Sequence, residues 1–139
     1  LEARADAPKQ GIFFEGQIFD AWLFVTDLIQ SAEKTIELWD HYVDTSVLML
    51  LSKRRPDACA RIYMKKVSTV LQTDIEKHNH QYLPIEIIIS DTAHDRFLLI
   101  DNKRLYHVGA SLKDLGKRCF AFSLLDEKMI DVFRKNILK

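Results

Sequence analysis

Short β-branched segments alternate with longer amphipathic segments over the first two thirds of this chain, and this alternation most narrows the folds open to it. The short segments predict strands, namely Thr35–Trp39, Cys59–Met64 and Ile85–Ile89. The longer ones predict helices over about residues 17–33, from Asp44 to a point before Pro56, and from Ser68 onwards. Strands that alternate with helices in this way form a largely parallel sheet with helices on both faces.

The last third of the chain departs from that alternation. Residues 96–100 and 104–108 predict two strands joined by Asp101-Asn102-Lys103, a turn sequence, so we expect a hairpin. A further strand is predicted at residues 120–124, a short one within residues 11–15, and a closing amphipathic helix over residues 127–138. The hairpin makes the sheet mixed. We therefore expect the α/β class, with a mixed, largely parallel sheet.

Length and composition indicate one folded domain. The chain has 139 residues, of which 47% are hydrophobic, and this is enough for a single core. Residues 1–10 are polar and rich in alanine and predict a linker, so residues 11–139 form the predicted domain. No apolar run approaches the roughly 20 residues that a transmembrane helix needs. We expect a cytoplasmic protein without a membrane partner.

The charges of the chain cancel. Twenty Lys and Arg residues face twenty Asp and Glu residues, so the formal net charge is zero. No global basic field therefore draws the protein onto nucleic acid, and recognition of a phosphate must be local. The basic clusters Lys53-Arg54-Arg55 and Lys65-Lys66 are interpreted as solvated ends of helices and loops, with nucleic-acid contact as the alternative.

His94 and Arg96 are the strongest candidates for chemistry. They are two residues apart on an extended segment, so their side chains leave the same face. An imidazole can attack phosphorus as a nucleophile, and a guanidinium group neutralises the non-bridging oxygens. Downstream, Gly109-Ala110-Ser111 and Lys113 offer backbone N–H groups, a hydroxyl and an ammonium group to an anion. The sequence thus predicts a phosphate site formed by His94, Arg96, Ser111 and Lys113.

The segment from His94 to Asp101 (HDRFLLID), followed by Gly109-Ala110-Ser111, resembles the signature of the phospholipase-D superfamily, H-x-K-x4-D and a small-residue stretch. Residues 36–48 and 61–64 look like the first two strands of that fold. The resemblance implies a phospholipase-D-like fold and a reaction in which one histidine forms a phosphohistidine while a second protonates the leaving group. With one such segment per chain, it also implies a homodimer that brings two copies of His94 together, with no metal and no cofactor.

A second resemblance covers residues 94–123. This stretch is similar to the C-terminal domain of bacterial and phage proteins that carry a KilA-N-type DNA-binding domain at their N-terminus. It implies a DNA-associated protein with a DNA-binding domain upstream. The partners that it implies are nucleic acid or a phosphorylated ligand.

The sequence also departs from the superfamily signature. Arg96 stands in place of the lysine, and the asparagine of the small-residue stretch is absent. Asp101 is seven residues from His94, which places it on the opposite strand face unless a bulge intervenes. We expect supporting roles for a set of residues near the predicted strand ends, namely Asp101, Gly109, Asp114, Asp40 and Tyr42.

Two functions stay open on these grounds. In the first, the site is degenerate and binds phosphate or a phosphodiester in a dimerisation or ligand-binding module of a DNA-associated protein. In the second, the domain is a metal-independent phosphodiesterase, similar to a nuclease, that acts through a phosphohistidine at His94.

Overall fold

The computed structural model describes residues 8–138. Its elements in chain order are β1 (Gln10–Phe13), α1 (Ile18–Ser31), β2 (Thr35–Trp39), α2 (Thr45–Leu51), β3 (Cys59–Met64), α3 (Thr69–Gln81), β4 (Ile85–Ile89), β5 (Arg96–Ile100), β6 (Arg104–Val108), β7 (Phe120–Leu124) and α4 (Met129–Ile137). These strands and helices confirm the elements predicted from the sequence. Of the predicted linker, residues 1–7 lie outside the described residues, and Gln10 is the first residue of β1.

The helices α2 and α3 begin at the predicted caps. A side-chain oxygen of Asp44 accepts a hydrogen bond from the backbone N–H of Ser46 at 3.0 Å. The Ser68 hydroxyl accepts one from the N–H of Leu71 at 3.1 Å. Such caps satisfy N–H groups that have no partner within the first helical turn. These two helices carry the chain from β2 to β3 and from β3 to β4.

The strands form one sheet in the order β1-β7-β6-β5-β2-β3-β4. The mixed α/β class is confirmed, but parallel pairing is less extensive than expected. Only β2 with β3 and β3 with β4 are parallel, and the other four pairings are antiparallel. A parallel pair needs a crossover connection, which α2 and α3 supply, whereas the later strands are joined by short loops or a hairpin.

Helices cover both faces of this sheet, as predicted. The helices α1, α2 and α3 pack on one face, where Leu38 and Ile62 belong to the main core. The helix α4 packs on the other face, where Ile130 joins a smaller cluster with Trp39 and Tyr63. Successive residues of β2 enter different clusters because side chains alternate along a strand. Within residues 8–138, none of the helices has the length and apolar composition needed to cross a membrane.

The connection from β4 to β5 positions the site. Because β4 lies at an edge of the sheet and β5 on the far side of β2, residues 90–95 cross the ends of β3 and β2. At this end β2, β3, β4 and β6 finish, while β5 and β7 begin. We call it the site end of the sheet. Open α/β sheets bind ligands at the carboxyl ends of parallel strands, where the chain changes direction across the sheet.

Candidate functional site

A cleft of about 570 Å³ opens at the site end, next to the loop between β4 and β5. Its lining residues come from the ends of β2 and β3 and from this loop, namely His41, Tyr42, Lys65, Lys66, Asp91, Thr92, Ala93 and His94. We call it the His94 cleft. It brings together two predicted site residues, His94 and Tyr42, and adds a pair of lysines at its rim.

His41 fastens the loop between β4 and β5 to the end of β3. Its Nδ1 accepts a hydrogen bond from the backbone N–H of Lys65 at 2.9 Å, so the ring proton is on Nε2. Nε2 donates to the carbonyl oxygen of Ala93 at 2.8 Å. Elsewhere in the loop, the Thr92 hydroxyl donates to the carbonyl oxygen of Ile137 in α4 at 2.8 Å. The loop that carries His94 is therefore held by His41 on one side and by α4 on the other.

The His94 side chain is exposed in this cleft, and no described residue forms a hydrogen bond with its ring. A nucleophilic or acid-base histidine is ordinarily oriented by a partner that fixes its tautomer. The adjacent carboxylate, Asp95, instead lies 3.1 Å from Nε2 of His107. The His94 imidazole is thus accessible to a ligand, but no acid within residues 8–138 orients it.

Arg96 lies beside Gly109, as the predicted site requires, yet its guanidinium contact is with the protein backbone. Its Nη2 donates to the carbonyl oxygen of Gly109 at 2.7 Å, and its Nε is buried without a partner among the described residues. The Gly109 N–H in turn donates to the carbonyl oxygen of Ala121 at 2.8 Å. Arg96 therefore links β5 to the segment after β6.

Asp40 and Ser111 meet, although the Ser111 hydroxyl is directed at the carboxylate and away from solvent. Asp40 is 2% exposed and Ser111 is 6% exposed. The Ser111 hydroxyl donates to both carboxylate oxygens, at 2.9 and 3.0 Å, and the backbone N–H groups of Tyr42 and Leu112 each donate to the same carboxylate at 2.9 Å. Asp40 thus joins the end of β2 to the loop between β6 and β7.

Lys113 is paired with Asp114, next to a second cleft of about 440 Å³ that is formed by the loop between β6 and β7. Lys113 Nζ lies 3.1 Å from Asp114 Oδ2, and Lys117 Nζ lies 3.3 Å from Oδ1. Desolvation by itself would raise the pKa of Asp114, but hydrogen bonds from the two ammonium groups lower it below its usual value. Arg118 is exposed at the rim and has no partner among the described residues, so we call this the Arg118 cleft.

Asp101 lies at the opposite end of β5 from His94, and the five residues of β5, about 17 Å of strand, lie between them. Its carboxylate accepts hydrogen bonds from the backbone N–H groups of Glu33, Lys34 and Thr35, at 2.7 to 3.1 Å. Desolvation works to raise the pKa of Asp101, and these three donors lower it below its usual value. Asp101 fastens the connection between α1 and β2, and the structure does not bring it to the site end.

Lys65 and Lys66, interpreted from the sequence as solvated ends with nucleic-acid contact as the alternative, are exposed and also line the His94 cleft. The signal for this placement was present, because Lys65 follows β3 directly, as Asp40 follows β2. Parallel neighbours end on the same side of a sheet, so residues that follow them are brought together. Within the described part of the chain, no group of three or more His, Cys, Asp or Glu residues is arranged to hold a metal ion.

Comparison with known proteins identifies the fold. No family model and no curated protein matches this sequence. The chain is similar to NucT from Helicobacter pylori, with a TM-score of 0.66 and 11% identity over 94% of this chain and 95% of that one. It is also similar to TrmBL2, an archaeal chromatin protein with a novel mode of DNA binding, with a TM-score of 0.60 and 13% identity over 99% of this chain and 54% of that one. Identity this low establishes the fold alone.

Proposed function

We propose that this phospholipase-D-like domain binds the phosphate groups of a nucleic acid in the His94 cleft and does not cleave them. The observation that carries the proposal is the exposed imidazole of His94 in a cleft whose rim bears the ammonium groups of Lys65 and Lys66. Ring N–H and ammonium groups donate strong hydrogen bonds to phosphate oxygens. Because the net charge of the chain is zero, binding of a polyanion depends on local groups of donors such as this one.

The other predicted phosphate ligands support binding without chemistry. The Ser111 hydroxyl donates to the buried Asp40 carboxylate, and one nitrogen of the Arg96 guanidinium group donates to the carbonyl oxygen of Gly109. Lys113 is paired with Asp114 at the surface, as Lys117 is, and such a pair leaves its ammonium group available to an anion. A phosphohistidine mechanism needs an oriented histidine and a cation fixed on the non-bridging oxygens. Among residues 8–138, no acid contacts the His94 ring, and the Arg96 guanidinium group is held by the carbonyl oxygen of Gly109 with its Nε buried. These contacts fit a degenerate site, which lacks the arrangement for catalysis but has cations at its rim that can bind an anion.

The proposal extends to the context of the domain. One of the structural neighbours is a chromatin protein with a novel mode of DNA binding, which favours nucleic acid over a phosphorylated small ligand. As part of the same proposal, the domain dimerises and serves a DNA-associated protein with a KilA-N-type DNA-binding domain upstream, as its sequence resemblance implies.

A second candidate function is supported by the accessibility of His94. In a homodimer that brings two copies together, a ring nitrogen of one His94 attacks phosphorus and forms a phosphohistidine. The leaving alcohol takes its proton from the His94 of the other copy, and water then hydrolyses the phosphohistidine. This metal-independent phosphodiesterase reaction needs no reacting group beyond the two imidazoles, although no described acid orients either ring.

Binding is tested by fluorescence anisotropy with labelled oligonucleotides over a range of salt concentrations. We expect Lys65→Ala/Lys66→Ala to weaken binding and to reduce the salt slope by about 1.4 to 1.8, since each phosphate contact contributes about 0.7 to 0.9. The matched control is Lys34→Ala/Lys103→Ala, which removes the same charge from exposed positions at the opposite end of the sheet. Equal losses in the two variants would show that the binding is not local to the cleft.

Cleavage is tested with the same oligonucleotides in the presence of EDTA, followed by gel analysis. We expect the substrate to stay intact. Cleavage that persists in EDTA and disappears in His94→Ala would replace the binding function with the phosphodiesterase.

A further inference from the structure

We infer that the ligand of the site end is a single-stranded polynucleotide whose backbone passes from the His94 cleft to the Arg118 cleft. The inference rests on the proposed function and adds the length of the ligand, its direction across the sheet and its strandedness. It depends on three observations, namely the order of the strands, the availability of the cations at both ends and the exposure of Tyr42.

The strand order sets the distance between the two clefts, and we call the path from the His94 cleft to the Arg118 cleft the cation track. Between β3 and β7 the sheet runs β3-β2-β5-β6-β7, which is four steps or about 19 Å. Lys65 and Lys66 follow β3, His94 precedes β5, and Lys117 and Arg118 precede β7. Phosphate donors are therefore present at the start, the middle and the end of this path. A single phosphate or mononucleotide cannot reach both clefts, whereas a strand of about four nucleotides matches the lower range of such grooves.

The cations at the two ends of the track are available to a ligand. Lys66 and Arg118 are exposed and have no partner among the described residues. Lys65 lies 3.7 Å from an exposed carboxylate, Asp91, and Lys117 lies 3.3 Å from Asp114. Pairs of this kind at the surface are weak because water and salt screen them, so a phosphate group can displace the carboxylate.

The exposed ring of Tyr42 favours a single-stranded ligand over a duplex. Its side chain is 61% exposed in the His94 cleft, while its backbone N–H is fixed to the buried Asp40 carboxylate at 2.9 Å. An exposed aromatic ring on a fixed backbone is suited to stack on an unpaired base. In a duplex the bases stack on one another and their faces are closed to the protein. The ring and the cation track together therefore match a single strand.

The test uses anisotropy with a labelled thymidine dinucleotide, an octanucleotide and a duplex of the octanucleotide's length. We expect the octanucleotide to bind about tenfold tighter than the dinucleotide or more, because it also contacts the Arg118 cleft. Lys117→Ala/Arg118→Ala should remove most of this gain and lower the octanucleotide salt slope by about 1.4, with dinucleotide binding unchanged. Tyr42→Ala should weaken octanucleotide binding roughly tenfold, while Tyr42→Phe, which keeps the ring, should not.

Each outcome separates this inference from the proposed function. If the two oligonucleotides bind equally well and Lys117→Ala/Arg118→Ala changes neither, the track is wrong while phosphate binding in the His94 cleft stands. If the duplex binds more tightly than the octanucleotide and Tyr42→Ala has no effect, the single-strand assignment is wrong. If neither oligonucleotide binds, the proposed function fails and the inference fails with it.

Discussion

The hydroxyl of Ser111 donates to both carboxylate oxygens of Asp40, and this contact joins segments that are 71 residues apart. The same carboxylate accepts the backbone N–H of Leu112 at 2.9 Å. Asp40 therefore holds the loop between β6 and β7 against the end of β2. This contact makes Ser111 an organiser of the site end, whereas the sequence predicted that it would bind phosphate directly.

Ser111→Ala should lower the free energy of unfolding by about 1–3 kcal/mol, because it removes a donor from a buried carboxylate. Urea denaturation measures this change. Ser52→Ala is the control, because this hydroxyl at the end of α2 donates only to the nearby Met49 carbonyl oxygen and not to a buried charge, and it should stay within about 0.5 kcal/mol of the wild type. The affinity of folded Ser111→Ala for the thymidine dinucleotide, which depends on the His94 cleft alone, should match the wild type. A variant of normal stability that loses affinity would return Ser111 to the role of phosphate ligand.

The stability of the protein should decline in acid partly through Asp101. The folded state lowers the pKa of this carboxyl, so its contribution is present above the unfolded value of about 3.9 and is lost as the pH falls through the folded value. Asp101→Asn keeps a residue that tolerates the positive φ of 55° at this turn but removes the charge. Urea midpoints between about pH 7 and pH 3 should therefore fall less steeply in Asp101→Asn. Parallel curves for the two proteins would contradict this account.

Arg134→Met should be destabilising, by about 1–3 kcal/mol, because it removes a hydrogen-bond donor from a buried carboxylate and leaves Arg61 Nη1, 3.6 Å away, as the remaining cation. Glu37 is 4% exposed and accepts hydrogen bonds from the guanidinium group of Arg134 in α4 and from the Tyr63 hydroxyl. The double variant Glu37→Gln/Arg134→Met should recover part of the loss, since no buried charge is left unpaired. Thermal unfolding of the wild type, Glu37→Gln, Arg134→Met and the double variant gives the coupling free energy of the pair in a double-mutant cycle. Strictly additive losses would mean that the pair does not interact.

Gly109→Ala should lower the thermal midpoint through a backbone clash. A Cβ atom at this position would lie 2.9 Å from the carbonyl oxygen of Ala121, the acceptor of the Gly109 N–H. Separating β6 from β7 to relieve the clash should reduce stability by about 1–3 kcal/mol. Arg96 also donates to the Gly109 carbonyl oxygen, so the substitution should disturb the site end. An unchanged midpoint would show that the two strands adjust without loss.

Local features of the sequence predicted the elements well. The predicted bounds of Thr35–Trp39, Cys59–Met64 and Ile85–Ile89 agree with β2, β3 and β4, because runs of β-branched and apolar residues end there in polar or turn-forming ones. The caps Asp44 and Ser68 were also identified, since a cap acts within its own helical turn.

The sequence by itself determined the strands, the helices, their caps and the place of His94 before a strand, because propensity, periodicity and capping act over a few residues. Only the tertiary structure decided that β5 lies antiparallel beside β2, which puts His94 near Lys65 and Lys66 and sends Asp101 to the other end of the sheet. It also decided the partners of the remaining site residues. Strand order and buried hydrogen bonds depend on packing between segments far apart in the chain, and no local pattern encodes that packing directly.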